Sequence, residues 1–596
     1  MNRKFQALLI FILSTFQVTL SAVLLHSPDD LPNNPLDNYY DFVIAGAGTA
    51  GAVVASRLAE ANPQWKVLVV EAGPSNEDVF ETRVPGLWLK FLSQEVTRVD
   101  WNYTVAPQVG LNGRSVGYSR ARMLGGCSSH NAMTYTRGSR DDWDRYANVV
   151  KDDAYKWDNV LPLFFKAERL TQQVPKGHID PSVHGRKGKV SVSATFTKIP
   201  FNDMLIKASD ELKAEFPFLL DMNAGRVIGT GWVQSTLDHG ERSSSATAYL
   251  AKSGDNVHIL INTQVTRVVP ANSNGSEFRG VEVATDAQAP RRTIIAKKEV
   301  IVSGGIIGSP QILLNSGIGS REELEKVGVK TLVDNPSVGK NLTDQVSTPM
   351  AFATNTTSTD FDQEAALEEW NKTRTGPLSH PVDVNHFTFV RLPQFSEEPL
   401  DPTGGSNSPH VEFAYSGISS HPPVVGGPAQ IPPGSANVTI QLAVANLHPV
   451  SRGSITLASS NPFDHPVIDF RLLTESEDIA ILREGIRSAR RLFAAPAFKD
   501  AVFGSVLPAP NVTSDEDLDA YIRSTASPFL HSVGSAMMSA RGASWGVVDP
   551  DFRVKGTKGL RVVDASVIPL TPSGHSQVAV YAMAERASML IAEAWE

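Results

Sequence analysis

The chain has 596 residues, 41% of them hydrophobic and 20% charged, with a formal net charge of −9 and a single cysteine. That length is too great for one compact core and predicts two domains or an interwoven pair. The acidic balance argues against a nucleic-acid partner, and one cysteine allows no internal disulfide, so a large core must supply the stability.

The chain begins MNRKFQALLIFILSTFQVTLSA, in which Arg3 and Lys4 precede an apolar run from Phe5 and small residues stand at Ser21 and Ala22. This pattern predicts a secretory signal peptide, residues 1–25, cut somewhere in 21–25. The run is shorter than the ~20 residues that span a bilayer. No later stretch is long and apolar enough, so no membrane partner is expected. Seven N-x-S/T sequons, at Asn102, Asn274, Asn341, Asn355, Asn371, Asn437 and Asn511, point to a glycosylated, extracellular protein.

Residues 38–60 read NYYDFVIAGAGTAGAVVASRLAE. Phe42 to Ala45 has strand character, Gly46, Gly48 and Gly51 form G-x-G-x-x-G, and an Ala/Val-rich helix begins at once. The first glycine permits a tight turn, the second lets backbone approach a pyrophosphate, and the third lets the helix pack close to the strand. A second strand, KVLVVEAG, ends in Glu71, 20 residues beyond the last glycine. A carboxylate there accepts hydrogen bonds from ribose hydroxyls and repels a 2′-phosphate. This unit predicts a bound dinucleotide and does not by itself separate NAD from FAD.

Further on, LGGCSSHNAMTYTRG (124–138) sets Cys127 and His130 just after paired glycines. KEVIVSGGIIGSPQILLNSGIG (298–319) is another strand–helix unit, and GLRVVDASVIP (559–569) holds a last strand leading to Asp564 and Ala565. Segments so widely scattered predict an α/β (α+β overall) chain whose Rossmann-like domain comprises 38–150, 226–345 and 526–596. A substrate-binding domain, 151–225 and 346–525, is inserted in pieces and based on an antiparallel sheet and helices. The Pro/Gly-rich HPPVVGGPAQIPPGS (421–435) reads as an excursion near a cleft. His531, in PFLHSVG, and His575, in PSGHSQV, are flanked by Gly, Pro or Ser and so belong to loops at element ends. Neither has metal-ligand spacing, no metal is expected, and no G-x-S-x-G elbow supports a hydrolase.

These segments carry a resemblance along essentially the whole mature length to the glucose-methanol-choline (GMC) oxidoreductases. The matching residues are the glycine unit, Glu71, RARMLGGCSSHN (120–131), GSPQILLNSGIG (308–319), FLHSVGSAMMS and GHSQVAVYAMAE. Within the family the chain looks most like fungal dehydrogenases of pyranose sugars, with aryl-alcohol oxidases near relatives. KGHIDPSVHG (176–185) and the GGCSSHN turn point to the narrower group.

The resemblance implies FAD, held by Gly46, Gly48, Gly51, Glu71, Gly125, Gly126, His130, Asn131, Val265, Asp564, Ala565 and Ser576. Carried over by position, His130 is the residue bonded covalently to the flavin's ring methyl group, and Asn131 hydrogen-bonds near the flavin's reactive edge. Cys127 packs under the turn as an inert thiol. His531 is implied as the base for the hydroxyl proton, a task suited to an imidazole that is mostly neutral near pH 7. His575 is implied to position the substrate oxygen; many members have asparagine there.

The implied activity is that of a secreted, monomeric dehydrogenase oxidising mono- and oligosaccharide pyranoses to keto-sugars, with quinones or organic radicals as electron acceptors. One alternative is an aryl-alcohol oxidase releasing hydrogen peroxide. Ala132 and Leu530 weigh against it, as pocket positions where such oxidases are aromatic. A second alternative is a flavin-containing hydroxynitrile lyase, with the same fold and no net redox change. A flavin-binding relic has no physical reason to keep both His531 and His575.

Overall fold

The structure, a computed structural model, describes residues 22–596 apart from 33–38, 94, 172–176, 195–197, 272–276, 382–383, 398–399, 424, 426 and 435. The leader up to residue 21 and the sequon at Asn274 lie outside the described residues.

One sheet is wholly parallel. Its strands are β1 (Val23–Leu25), β2 (Phe42–Ala45), β3 (Val67–Val70), β4 (Val257–Leu260), β5 (Glu299–Val302) and β6 (Leu560–Val562), lying in the order β1-β4-β3-β2-β5-β6. Every residue of β2, β3 and β5 is buried, which is why these strands read as near-continuous apolar runs rather than alternating ones. Helix α1 (Thr49–Ala61) packs against α3 (Gln577–Glu593), both rich in alanine and so able to approach closely. Between them the buried Glu585 accepts from Arg57, at 2.7 Å from Nη2, and from the Tyr249 hydroxyl at 2.8 Å. Helix α2 (Gly305–Asn315) follows β5. From β2 the chain builds outward through β3 and β4 on one side, then through β5 and β6 on the other. Ligands of such sheets sit beyond the carboxyl ends of the strands where the order reverses. Here that point lies between β2 and β5, at Gly46 and Ser303–Gly304.

The second sheet is antiparallel, in the order Val502–Leu507, Val346–Thr354, Thr439–Asn446, Val411–Ser419, His386–Val390 and Gly229–Trp232. Alternation along Val411–Ser419 sends Val411, Phe413 and Tyr415 into a core with Ile481, Leu482 and Ile486 of the helix Ser476–Phe493. Its opposite face, with Phe387 and Ala414, turns toward the first domain.

Three of the expected boundaries move. Gly229–Trp232, assigned above to the nucleotide domain, is an edge strand of the second sheet, paired with His386–Phe389. The helix Trp157–Ala167, assigned to the substrate domain, buries Val160, Leu163 and Phe164 in the core that contains α1 and α3. Val23–Leu25, inside the expected signal peptide, form β1 and pair in parallel with His258–Leu260. Five sequon asparagines, Asn102, Asn355, Asn371, Asn437 and Asn511, are exposed. Asn341 is not: its amide donates to the Pro569 carbonyl at 3.2 Å and accepts from Arg452 at 3.1 Å, so a glycan at this position is not supported.

One ionic cluster locks the inserted segment to the first domain. Glu168 accepts from Tyr135 at 2.7 Å and Arg137 at 2.5 Å, while His184 stands between Glu168 (2.5 Å) and Asp221 (2.9 Å). Both ring nitrogens face carboxylates, so both must donate and the ring is an imidazolium. Burial opposes that charge, but the hydrogen bonds to Asp221 and Glu168 prevail and push His184 up to about 9. The cluster's stabilisation is therefore complete below the unfolded value near 6.5 and is lost as pH rises through about 9. His184→Ala leaves Asp221 without its cation and Glu168 with Arg137 alone, and is expected to cost about 3–5 kcal/mol. Denaturation of both proteins at pH 6 and pH 9 should show the gap narrowing at the higher pH.

Candidate active site

A cavity of about 950 Å³ runs from the turns after β2 and β5 to the inner face of the second sheet. Of the residues assigned to a cofactor from sequence, Gly46, Gly48, Glu71, Gly126, His130, Asn131, Val265, Asp564, Ala565 and Ser576 line it. Gly51 and Gly125 stand behind its wall. A Cβ on Gly51 would lie 2.0 Å from the Gly46 carbonyl oxygen, so only glycine lets α1 sit this close to the turn. Gly126 has φ +50°, and a Cβ there would meet the Gly48 Cα at 2.7 Å. Two glycine turns therefore face each other across the cavity wall.

Each end of the dinucleotide unit has its own chemistry. Glu71 accepts from the backbone N–H groups of Ala47 and Gly73, both at 2.9 Å, which aims its carboxylate along the end of β3. Burial pushes its carboxyl up, and those N–H groups oppose the shift. Helix α1 starts at Gly48 with no side-chain cap, and Thr49 and Ala50 line the cavity, so the positive end of the helix points into it. Asp564 accepts from the Gly305 N–H (2.9 Å), Ser309 Oγ (2.5 Å) and Ser566 N–H (2.8 Å), fixing the wall between β6 and α2.

His130 is buried, and among the described residues neither of its ring nitrogens has a hydrogen-bond partner. Burial, with Arg120 and Arg242 nearby, pushes it down to about 3, so the ring is neutral. Behind it Arg242 donates to the carbonyls of Thr82 (2.8 Å) and Asn131 (2.6 Å) and to Asn131 Oδ1 (3.0 Å). The remaining Asn131 amide group donates to Gln577 at 2.7 Å. Cys127 is only partly buried and reaches the cavity wall, rather than packing out of sight under the turn.

His531 and His575 enter the cavity from different loops, their ring centroids 4.2 Å apart. Two consecutive residues ahead of the strand Val346–Thr354 hold the first loop. Asp344 accepts the N–H groups of Leu530 (3.1 Å) and His531 (2.7 Å), and Gln345 Oε1 lies 2.7 Å from His531 Nδ1. Leu530 takes φ +67°, a strained conformation for a leucine that these bonds secure. Tyr118 donates to Asp344 (2.6 Å) and Arg120 donates to the Leu530 carbonyl (3.0 Å). Burial raises Asp344 to about 6 despite Arg120 and these donors.

His575 receives a different partner. Its Nε2 donates to the buried Glu412 at 3.0 Å, and its backbone N–H donates to Thr136 Oγ1 at 2.8 Å. Phe387 stacks on His575 at 5.3 Å, and Phe529 stands 4.9 Å from His531 and 5.8 Å from His575. The histidines are thus walled by aromatic rings, a feature not anticipated from Ala132 and Leu530. Burial, then the neighbouring His575 and Arg120, holds His531 well below the ordinary histidine range, so it is neutral and able to accept a proton. Among the described residues no group of three or more His, Cys, Asp or Glu could hold a metal ion.

Two family models described as GMC oxidoreductase match residues 40–347 and 449–584. A pyranose dehydrogenase of Agaricus xanthodermus is 54% identical over 593 residues, covering 98% of each chain. The chain belongs to the GMC oxidoreductase family. Another relative, a pyranose dehydrogenase of Agaricus campestris, is 55% identical with 97% of each chain covered. Among solved structures, a variant of formate oxidase from Aspergillus oryzae RIB40 superposes with a TM-score of 0.83 at 28% identity, covering 93% of this chain and 98% of that one. A fungal aryl-alcohol oxidase does so at 0.80 and 25% identity, covering 94% and 100%.

FAD is the cofactor of this GMC oxidoreductase, and its residues fit that group. Glu71 and the open helix start suit ribose and pyrophosphate. At Gly48 an added Cβ would find nothing nearer than 3.8 Å, leaving room for close approach from the cavity. The unpartnered His130 ring then stands in the same cavity as His531 and His575.

Proposed function

We propose that this chain is a secreted FAD-dependent dehydrogenase that oxidises pyranose sugars to keto-sugars and passes the electrons to quinones or organic radicals. The observation that carries the reading is the neutral His531 facing His575 in one cavity with the nucleotide cradle, on a chain 54% identical to a pyranose dehydrogenase over almost its whole length.

The residues divide the work as follows. Bound FAD supplies the hydride acceptor. His531 takes the hydroxyl proton at Nε2, which among the described residues has no protein partner. His575, anchored by Glu412 and Thr136, holds the substrate oxygen in place. Phe387 and Phe529 keep the two rings dry and parked at fixed angles. His130 is the covalent attachment residue: its ring is neutral, buried and without a protein partner, the form in which a ring nitrogen can bond to the flavin's methyl carbon.

Phe387 and Phe529 also favour a second reading, an aryl-alcohol oxidase that makes hydrogen peroxide, because flat aromatic substrates stack on such walls. The acceptor decides between them. With glucose as donor, benzoquinone or ferrocenium should be reduced much faster than oxygen. Peroxide forming as fast as quinone is reduced would favour the oxidase.

Secretion rests on the leader and the five exposed sequons; among the described residues no helix is long and apolar enough to cross a membrane. Because Val23–Leu25 complete the parallel sheet, the secreted form should start at Ala22 or Val23. It should also run above its calculated mass until glycosidase treatment. An N-terminus after Leu25, or no mass change, would contradict this.

A further inference from the structure

His531 can act as base only if its cavity-facing nitrogen carries a lone pair. A neutral imidazole has one N–H and one acceptor nitrogen, and the hydrogen bond made by one nitrogen decides the state of the other. The partner of His531 Nδ1 is the side chain of Gln345, at 2.7 Å. An amide could offer either an oxygen or an NH₂ group here, and the two are told apart by the other contacts it makes.

Those contacts leave one solution. Gln345 is fully buried, and its far end faces three backbone carbonyls: Pro572 at 3.0 Å, Gly574 at 3.0 Å and Leu447 at 3.4 Å. Carbonyls only accept, so the NH₂ group must point toward them. Flipping the amide would set its oxygen against three oxygens and leave its NH₂ group against His531. Oε1 therefore accepts, Nδ1 donates, and the lone pair of His531 is left on Nε2, toward the cavity. The same residue ties together both histidine loops, since its side chain donates to Pro572 and Gly574, which lead into His575, and its backbone carbonyl accepts from the Phe529 N–H at 2.8 Å.

We propose that Gln345 is the positioning residue that fixes His531 in its Nδ1–H tautomer and thereby makes Nε2 the proton-accepting atom. The proposal rests on the reading of His531 as base. Holding a catalytic imidazole in the wrong tautomer costs up to about 10⁴-fold in rate. The nearby ionisable groups do not do this task. Asp344 binds the backbone N–H of His531, Arg120 binds the Leu530 carbonyl, Tyr118 binds Asp344, and His575 faces the ring with its own partner Glu412 behind it.

Anaerobic stopped-flow flavin reduction by glucose tests it, in the holoenzyme. Gln345→Met fills similar volume without an acceptor and should slow saturated reduction by about 10- to 10³-fold, with the sugar's apparent dissociation constant changed less than about threefold. In a His531→Ala background the same substitution should slow the residual rate no further. A brace that merely shapes the loops would slow both backgrounds alike, because Gln345 also holds the His575 loop. Gln345→Glu keeps an acceptor for Nδ1 and, with its second oxygen protonated against the three carbonyls, should restore reduction to within about tenfold of wild type. This variant also serves should the methionine variant fail to fold. Unchanged reduction in Gln345→Met, equal slowing in both backgrounds, or slowing in Gln345→Glu as large as in Gln345→Met would each overturn the proposal. If His531→Ala alone reduces flavin at the wild-type rate, it is the base reading that fails.

Discussion

His531→Ala is expected to slow anaerobic flavin reduction by about 10²–10⁴-fold, the usual worth of a general base. The geometry supports so large an effect: the ring is held at Nδ1 by Gln345 and at its backbone by Asp344, with Nε2 free for the substrate. His575→Ala should also slow reduction, more through lost positioning than through lost proton transfer. The rings lie 4.2 Å apart, so if both act on one oxygen the double variant should fall well short of the summed effects. His575→Asn keeps a polar group within reach of the substrate oxygen and should be milder than His575→Ala. The pH profile adds an independent readout. Reduction should fall only well below the ordinary histidine range, since burial, His575 and Arg120 hold His531 there, and this limb should vanish in His531→Ala. Near wild-type reduction in His531→Ala with a dead His575→Ala would reverse the roles.

The second large effect concerns the flavin linkage. Acid-precipitated, denatured wild-type protein should stay yellow and fluoresce in a gel, whereas His130→Ala should release all its flavin. The native His130→Ala protein should still purify yellow, because Glu71, the α1 start and the facing glycine turns are untouched by the change. Burial, with Arg120 and Arg242 nearby, keeps the His130 ring unprotonated, hence with a nitrogen lone pair free to bond. A wild-type protein that loses its colour on denaturation would refute the linkage.

Much of this site was legible because local patterns carry it. The glycine unit and Glu71 are fixed by short-range geometry, the turn at one end and the strand period at the other, and the structure brings Gly46, Gly48 and Glu71 to one cavity. His531 and His575 were legible only through resemblance, since a loop histidine has no periodicity to read. Their partners were not legible at all. Gln345 lies 186 residues from His531 and Glu412 lies 163 from His575, contacts that depend on how two sheets are stacked. Nothing in NLTDQVSTP or PHVEFAYS marks these side chains.

The misplaced boundaries have the same origin. Gly229–Trp232 reads GTGW, too short and glycine-rich to declare a strand until His386–Val390 offers it a partner. Val23–Leu25 were hidden by the apolar leader that runs into them, because hydrophobicity marks an exported segment and an edge strand alike. The helix Trp157–Ala167 shows its apolar stripe in sequence but not which core it meets.

The central claim is oxidation of a sugar by this flavin site, and anaerobic bleaching of the purified yellow protein measures it most directly. Glucose should bleach the flavin absorbance rapidly and completely, with benzoquinone restoring the colour, while an aryl alcohol and choline bleach it far more slowly. A flavin left oxidised by glucose but reduced by the aryl alcohol or by choline would contradict the account.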